Sequence, residues 1–215
     1  MLNVGILVFD DVEALDFAGP YEVFSTAARV HARQVPGEEL FRCLLIAADM
    51  QPVRARAGMR VLPDRVLLPT ADIDVLIVPG GEISQAVKDG AVIDWVRAQA
   101  QSAAVVASVC TGAFLLAKAG LLDGLAVTTH WEDQSDLQAQ FPALTVREEG
   151  PWIDCGKFVT SGGISAGIDM SLHLVERLAG RQLALATARQ MEYRWNQHGT
   201  DSLDERHHAG LLSPA

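Results

Sequence analysis

The sequence predicts a single three-layer α/β domain with a mostly parallel central sheet, and three observations favour this class. Apolar, β-branched runs of strand length alternate along the chain with stretches of helical periodicity. The length of 215 residues suits one domain of this class rather than two. Apolar residues make up 49% of the chain and charged residues 20%, which argues against a disordered chain. Alternation of this kind places helices on both faces of a parallel sheet.

The individual elements follow from local patterns along the chain. The first apolar run, 3–9, is nearly continuous and β-branched, which is typical of a strand covered on both faces. Pro20 suits the first position of a helix, where its missing N–H is not needed, so a helix is predicted over 21–30. Further strands are predicted over 41–48, 73–78, 104–109 and 125–129, with a β-ribbon over 53–62 and a hairpin of 152–154 and 157–160. Further helices are predicted over 84–101, 113–119, 131–140, 168–178 and 183–195.

The charge balance bears on the partners of the protein. The chain has 27 acidic residues against 17 basic ones, a formal net charge of −10. Such a surface repels phosphate backbones and acidic membrane faces, so we expect no nucleic-acid partner. The long uncharged window over 98–117 is interrupted by polar residues, which favours a buried strand and helix over a membrane span. We predict one domain over 1–196, followed by a polar tail over 197–215.

Cysteine usage indicates the redox compartment. The three cysteines Cys43, Cys110 and Cys155 cannot all pair, and we expect no export signal at the N-terminus because it has no basic leader. Both observations favour a reducing cytoplasm. No cysteine or histidine spacing fits a zinc site, and no glycine loop fits a phosphate site. We therefore predict that the protein needs no metal and no organic cofactor.

Cys110 is the candidate nucleophile. A buried strand turns directly into a helix at this cysteine, with Ser108 two residues before it and Gly112 two residues after it. This is the thiol counterpart of the strand–nucleophile–helix elbow, in which small flanking residues allow a sharp turn. We expect the helix N-terminus to stabilise a thiolate and the following amides to bind an oxyanion. The alternative is a buried apolar cysteine, which is the interpretation we favour for Cys43.

Glycines at the end of a strand form a second candidate feature. The segment Pro79-Gly80-Gly81 follows the strand predicted over 73–78. Ligands of open α/β sheets bind at the carboxyl ends of the strands, and glycines there let backbone amides approach a reacting group. Gly80 and Gly81 are therefore candidates for binding substrate or an oxyanion, and a plain turn is the alternative.

Two further side chains lie near predicted strand ends. Asp16 follows the first strand, and it could reach Cys110 and hold or transfer a proton if the two strands are neighbours. Equally, it could be a loop aspartate that caps the helix predicted at 21–30. His130 ends the strand predicted over 125–129 and could set the charge of Cys110, or it could be a structural histidine.

At these residues the chain resembles the ThiJ/PfpI superfamily. The resemblance implies a flavodoxin-like, class I glutamine amidotransferase-like sandwich that is usually a homodimer. Together the matching segments extend over most of residues 1–195. They are Leu15-Asp16-Phe17-Ala18-Gly19-Pro20, Pro79-Gly80-Gly81, Ser108-Val109-Cys110-Thr111-Gly112, Thr128-Thr129-His130-Trp131 and Thr160-Ser161-Gly162-Gly163-Ile164-Ser165-Ala166-Gly167-Ile168-Asp169.

Within that superfamily, the pattern is similar to the isonitrile hydratase branch. The resemblance implies that Cys110 attacks the isonitrile carbon, with Asp16 and Thr111 assisting, and that a formamide is produced. The intracellular-protease branch has a histidine where this chain has Thr111, which argues against peptidase activity. The glyoxalase and deglycase branches have a glutamate where this chain has Asp16.

Two alternatives remain open on the sequence. One is an enzyme acting on α-oxoaldehydes through Cys110 and His130. The other is a ligand- or redox-sensing module with an oxidisable Cys110, because similar segments occur in the sensor domains of AraC-type regulators. Those regulators continue into helix-turn-helix domains, and we expect no such domain here. The partners expected are a small-molecule substrate and a second copy of the chain, with neither nucleic acid nor membrane.

Overall fold

The structure is a computed structural model in which residues 1–68 and 72–201 are described. Its strands are β1 (Leu2–Leu7), β2 (Phe41–Ala47), β3 (Val53–Arg54), β4 (Arg60–Val61), β5 (Arg65–Val66), β6 (Val75–Val78), β7 (Val105–Val109), β8 (Ala126–Val127), β9 (Thr145–Val146), β10 (Trp152–Cys155), β11 (Phe158–Ser161) and β12 (Thr200–Asp201). Its α-helices are α1 (Ala14–Gln34), α2 (Gly90–Ser102), α3 (Gly112–Lys118), α4 (Gln134–Gln140), α5 (Ala166–Ala179) and α6 (Arg181–Gln190).

Eight of these strands form the central sheet, in the order β12-β10-β11-β7-β6-β1-β2-β5. Neighbouring strands are parallel except for the antiparallel hairpin of β10 and β11. The chain moves from β1 to β2 on one side and then returns to β6 on the other side of β1. The order therefore reverses between β1 and β6, and the crevice at such a reversal is where open α/β sheets bind ligands.

Helices cover both faces of the sheet. Helices α1, α5 and α6 pack against one another on one face, where Phe24 and Met170 are fully buried. Helices α2 and α3 pack on the other face, where Leu115 is fully buried. Side chains alternate along the strands between the two cores, so that Ile77 faces the first and Leu76 the second. The predicted three-layer α/β class with a mostly parallel sheet is confirmed.

The start of α1 differs from the sequence-based prediction. The helix begins at Ala14, where the Glu13 side chain accepts a hydrogen bond from the Ala14 amide, and Pro20 lies inside it. The prediction that Pro20 opens a helix near residue 21 is therefore wrong. Proline cannot donate to the carbonyl four residues earlier, which here belongs to Asp16. Because α1 begins at Ala14, Asp16 lies in the first turn of the helix rather than in a loop, and it is fully buried.

Other boundaries shift by a few residues. The predicted hairpin is confirmed as β10 and β11, and the predicted ribbon as the antiparallel pair β3 and β4. Strand β8 pairs with β9 in a separate two-stranded sheet, so the segment before His130 lies outside the central sheet. The region predicted as a tail includes β12, which pairs with β10. The rest of the tail, from residue 202 onward, lies outside the described residues.

Among residues 1–68 and 72–201, no helix has both the length and the apolar character needed to cross a bilayer.

Candidate active site

Cys110 lies at a sharp turn between β7 and α3. Its φ is 57°, a left-handed backbone conformation that is uncommon for residues other than glycine. The turn is held by hydrogen bonds on both sides of the residue. The Cys110 amide donates to the carbonyls of Ser161 and Gly162, each at 3.2 Å, and the Thr129 hydroxyl donates to the Cys110 carbonyl at 2.8 Å. The side chain is 7% exposed, so the sulfur is nearly enclosed at the end of its strand.

Two glycines allow the end of β6 to lie directly against this turn. A Cβ on Gly112 would collide with the carbonyl oxygen of Val78. A Cβ on Gly80 would lie 2.5 Å from both the backbone nitrogen and the hydroxyl oxygen of Thr111. Real Cβ atoms do not approach backbone this closely, so both positions require glycine for space. The glycine pattern seen in the sequence therefore reflects contact between two adjacent strand ends.

Asp16 is brought to Cys110 by the first turn of α1. Its carboxylate accepts hydrogen bonds from the Gly80 amide at 3.1 Å and the Ile164 amide at 3.2 Å, and it is also hydrogen-bonded to the Cys110 thiol. Burial raises the pKa of Asp16 to about 6, although the Gly80 amide, the Cys110 thiol and the Ile164 amide oppose the shift. The nearby charge of Glu13 also raises this pKa. Asp16 can therefore gain and lose a proton near neutral pH.

The surroundings of the Cys110 thiol oppose its ionisation. Burial raises its pKa to about 12, and the charge of Asp16 acts in the same direction. A hydrogen bond from the Thr111 amide lowers the pKa but does not compensate. Burial and the neighbouring carboxylate therefore act against the thiolate that the helix N-terminus and the Thr111 amide favour. The protonation states of Cys110 and Asp16 are therefore linked through their contact.

The amides of Gly80 and Gly81 contact protein groups instead of open space. The Gly81 amide donates to the Thr111 hydroxyl at 2.9 Å, and that hydroxyl donates to the Gly81 carbonyl at 3.0 Å. The Gly80 amide donates to Asp16. These hydrogen bonds orient Thr111 and Asp16 beside Cys110, and a role of Gly80 and Gly81 in binding a substrate or an oxyanion stays a prediction.

His130 reaches the same site from the segment that follows β8. Its Nδ1 lies 3.4 Å from Asp133 Oδ2 and 3.8 Å from Glu132 Oε2. Its ring lies against Gly163. A Cβ on Gly163 would collide with the His130 ring and would lie 3.3 Å from Cys110 Sγ. The structure therefore brings His130 near Cys110, as one of the two sequence-based interpretations expected.

Gly163 and Ile164 are site residues that the sequence did not single out. Gly163 leaves room between Cys110 and His130, and Ile164 holds Asp16 through its backbone amide. Ile164 also has a positive φ of 57°. The available signal was the run Gly162-Gly163 after a predicted strand. Its importance depends on backbone direction, which side-chain patterns do not report.

A cleft of about 590 Å³ opens above Cys110. Its lining includes the site residues Cys110, Thr111, His130 and Gly81, together with apolar and acidic side chains of the surrounding elements. A second cavity, of about 470 Å³, lies beside β1 and β2 and includes neither Cys110 nor Asp16. Within the described ranges, no group of three or more His, Cys, Asp or Glu side chains is arranged to hold a metal ion.

Comparison with known proteins places the chain in a family. The model of the DJ-1/PfpI family matches residues 3–177, which is most of the chain. The chain belongs to the DJ-1/PfpI family. This agrees with the resemblance to the ThiJ/PfpI superfamily that the motifs around Cys110 and Asp16 indicate.

Members of this family similar to the chain have different activities. Isonitrile hydratase of Pseudomonas putida is 35% identical over 193 residues, which cover 89% of this chain and 78% of the relative. The HTH-type transcriptional regulator GbdR of Pseudomonas aeruginosa is 32% identical over 191 residues, which cover 89% of this chain. The chain spans 50% of the length of that regulator. The relatives therefore include both an enzyme and a regulator.

Solved structures agree with the fold. A ThiJ/PfpI family protein from Pseudomonas syringae matches with a TM-score of 0.79 at 25% identity, covering 91% of this chain and 76% of the other. DJ-1beta of Drosophila melanogaster matches with a TM-score of 0.77 at 20% identity, covering 90% of this chain and 99% of the other. At that identity, the second likeness shows the fold alone.

Proposed function

We propose that the protein is an isonitrile hydratase, which adds water to an isonitrile to give an N-substituted formamide. The observation that supports this most directly is the buried pair of Asp16 and Cys110 beneath an open cleft. Within the described residues, no Lys or Arg forms an ion pair with Asp16, so its proton remains exchangeable. The similarity to the isonitrile hydratase of Pseudomonas putida supports the same activity.

In the first step, the pair delivers both a nucleophile and a proton. Asp16 accepts the proton of the Cys110 thiol as the sulfur attacks the terminal carbon of the isonitrile. Asp16 then gives this proton to the same carbon, so that one S–C bond and one C–H bond form. The product is a thioimidate, R–N=CH–S–Cys110, and Asp16 is again a carboxylate. The Thr111 amide stabilises the sulfur while it is negatively charged.

In the second step, water completes the reaction. Asp16 accepts a proton from a water molecule as the water oxygen bonds to the thioimidate carbon, and the nitrogen receives that proton. The C–S bond then breaks, the hydroxyl proton returns to the sulfur, and the formamide leaves. The balance is one isonitrile and one water consumed for each formamide. A carboxyl group with a pKa of about 6 suits both directions of transfer at neutral pH.

The direct test is turnover of cyclohexyl isocyanide by the purified protein, with N-cyclohexylformamide measured by NMR. We expect formamide production by the wild type and none by Cys110→Ala. The matched control is Cys43→Ala. Cys43 is also a partly buried cysteine whose pKa burial raises to about 12, but it does not line the cleft. No turnover by the wild type, or equal turnover by Cys110→Ala, would contradict the proposal.

A second candidate is an enzyme acting on α-oxoaldehydes. The observation that favours it is the position of His130, which lines the cleft together with Cys110. Turnover of methylglyoxal by the wild type, lost in His130→Ala, would support this candidate. Turnover of the isocyanide that is unaffected by His130→Ala would instead support the hydratase.

A sensing module is the third candidate, suggested by the similar regulator of Pseudomonas aeruginosa. A thiol with a pKa of about 12 reacts slowly with peroxide, because the thiolate is the reactive form. We therefore expect Cys110 to stay reduced after mild peroxide treatment, as measured by mass spectrometry. Rapid oxidation of Cys110 would favour the sensor instead.

We also propose that the protein is a cytoplasmic homodimer that does not bind nucleic acid. The net charge of −10 supports the last point. Light scattering of the purified chain tests the dimer, and electrophoretic mobility of a DNA fragment at low salt tests the absence of binding.

A further inference from the structure

The cleft above Cys110 is strongly acidic. Five carboxylate side chains line it, and Arg56 is the cationic side chain among its described lining residues. Five negative charges and one positive charge leave a formal charge of −4, with His130 neutral. Arg56 lies 3.3 Å from Glu13, so its charge is already countered. The acidic residues are Glu13, Glu82, Glu132, Asp133 and Asp136.

These five carboxylates form an acidic rim in the more exposed part of the cleft, whereas the buried residues of its lining are not acidic. The side chains of Glu132 and Asp133 are 64% and 36% exposed, whereas Cys110, Thr111 and Phe114 are all buried. The acids come from separate elements, namely the start of α1, the loop after β6 and the segment that leads into α4. A ligand that reaches Cys110 therefore passes this acidic rim before it meets the Cys110 thiol and the neighbouring Asp16 carboxylate.

One carboxylate of the acidic rim, Asp133, also acts on the Cys110 sulfur. The negative charge of Asp133 adds to the raised pKa of Cys110, after the larger effects of burial and of Asp16. Between partly exposed groups, such a field favours a cation and disfavours an anion by amounts that salt reduces. A neutral substrate gains nothing from it.

We propose that the substrate is an isonitrile whose substituent ends in a cationic group, such as an ammonium, which the acidic rim binds while the isonitrile carbon meets Cys110. This inference rests on the proposed hydratase activity. The substituent between the two ends is apolar, because the lining of the same cleft also includes Ile83, Val87, Phe114 and Ile164. An anionic isonitrile is the poorest substrate in this arrangement.

Three isonitriles that differ mainly in charge test the proposal. They are 4-(trimethylammonio)butyl isocyanide, its uncharged carbon isostere 5,5-dimethylhexyl isocyanide, and 5-isocyanopentanoate. At low ionic strength we expect kcat/KM for the cation to exceed that for the isostere by about tenfold, with the anion lowest. Added salt should reduce this preference severalfold. Equal kcat/KM for the cation and its isostere would overturn the charge proposal and leave the hydratase proposal standing.

A variant of the rim sharpens the test. The described structure gives Asp136 neither a hydrogen bond nor an ion pair, so Asp136→Asn removes a charge without breaking a contact. We expect kcat/KM to fall about threefold for the cation and to stay unchanged for the isostere. The matched control is Asp123→Asn, which removes an exposed charge outside the cleft and should change neither value. Equal effects of the two variants on the cation would contradict a local role of the rim.

A binding measurement separates this inference from the proposed function. Calorimetry with Cys110→Ala, after circular dichroism has confirmed its fold, measures the affinity of the cationic formamide product and of its carbon isostere. Tighter binding of the cationic formamide would support the role of the acidic rim, whether or not the protein hydrates isonitriles. Absence of hydration would reject only the hydratase proposal. Equal or undetectable binding of the two formamides overturns the charge proposal in either case.

Discussion

Two buried aspartates of this protein have opposite environments. Asp16 contacts uncharged donors, namely two backbone amides and the Cys110 thiol. Asp154, at the β10–β11 hairpin, accepts a hydrogen bond from Arg177 at 2.8 Å and lies 2.7 Å from His173 Nε2. Burial raises the pKa of both carboxyls. At Asp154, however, the hydrogen bonds of His173 and Gly156 and the charge of Arg177 outweigh burial, so that its pKa is lowered.

The comparison shows what separates a structural carboxylate from a reactive one in the same fold. Both side chains are almost fully enclosed, so burial does not distinguish them. The difference is a cationic partner, which holds Asp154 in its ionised form, whereas no Lys or Arg of residues 1–68 and 72–201 pairs with Asp16. Asp154 therefore fastens the hairpin to α5, whereas Asp16 can exchange a proton with Cys110.

The largest effect expected is the loss of activity in Asp16→Asn. An amide cannot accept the thiol proton, so formamide production should fall by roughly 10² to 10⁴. The control is Asp154→Asn, which should keep kcat/KM within about twofold of the wild type once its fold is confirmed. Steady-state rates with cyclohexyl isocyanide measure both, and similar losses in the two variants would remove the distinction between the aspartates.

The next effect concerns stability. Asp154→Asn leaves Arg177 and His173 without a negative partner in a mostly buried contact, where His173 also stacks on Trp152 at 3.9 Å. We expect the free energy of unfolding to fall by about 2 kcal/mol, less than for a fully buried pair because Arg177 is partly exposed. Urea unfolding monitored by circular dichroism measures this loss. An unchanged midpoint would mean that the hairpin contact contributes nothing to stability.

The pH dependence of stability should have opposite signs at the two sites. Asp16 has a raised pKa, so the stability it contributes is present at low pH and is lost as the pH rises from about 4 to about 6. Asp154 has a lowered pKa, so its contribution is present above about pH 4 and is lost as the pH falls further. Between pH 4 and pH 7, the free energy of unfolding of the wild type should therefore fall by at most about 3 kcal/mol relative to that of Asp16→Asn. Parallel curves for the wild type and this variant would contradict the raised pKa.

The smallest effect expected is at Thr111. Its hydroxyl both accepts from and donates to Gly81, so Thr111→Val leaves a largely enclosed Gly81 amide without an acceptor. We expect kcat/KM to fall about tenfold, because the strand end beside Asp16 loses a fixed position. Thr111→Ser retains the hydroxyl and should stay within about twofold. A larger loss in Thr111→Ser than in Thr111→Val would assign the effect to the γ-methyl group instead, because valine retains that group and serine does not.

The sequence predicted the parts of the site that depend on side-chain type and strand order. The elbow at Cys110 could be predicted because a strand, a cysteine and a glycine at fixed offsets leave few other geometries. Cys43 has a pKa raised to about 12 by burial, as Cys110 has. A shifted pKa therefore does not identify the nucleophile, whereas the turn and the Asp16 contact do.

The features that the sequence missed depend on backbone geometry. Proline is a frequent first residue of helices, and nothing local to Pro20 indicates that α1 begins six residues earlier, at Ala14, after the Glu13 cap. The Ile164 amide binds Asp16 across 148 residues of chain, and an amide has no residue-specific signature. The direction of the Gly81 amide was also hidden, because it depends on where the Thr111 hydroxyl comes to lie.

The backbone of Cys110 has an evolutionary consequence. An L-residue in the left-handed region costs the fold on the order of 1–2 kcal/mol, a cost that glycine avoids. Selection for stability alone would therefore replace this cysteine with glycine. A lineage that retained the fold only as a scaffold should drift in that direction, and a lineage that retains the thiol gives up stability for chemistry. The residue type at this turn therefore indicates whether a member of the family still needs the thiol.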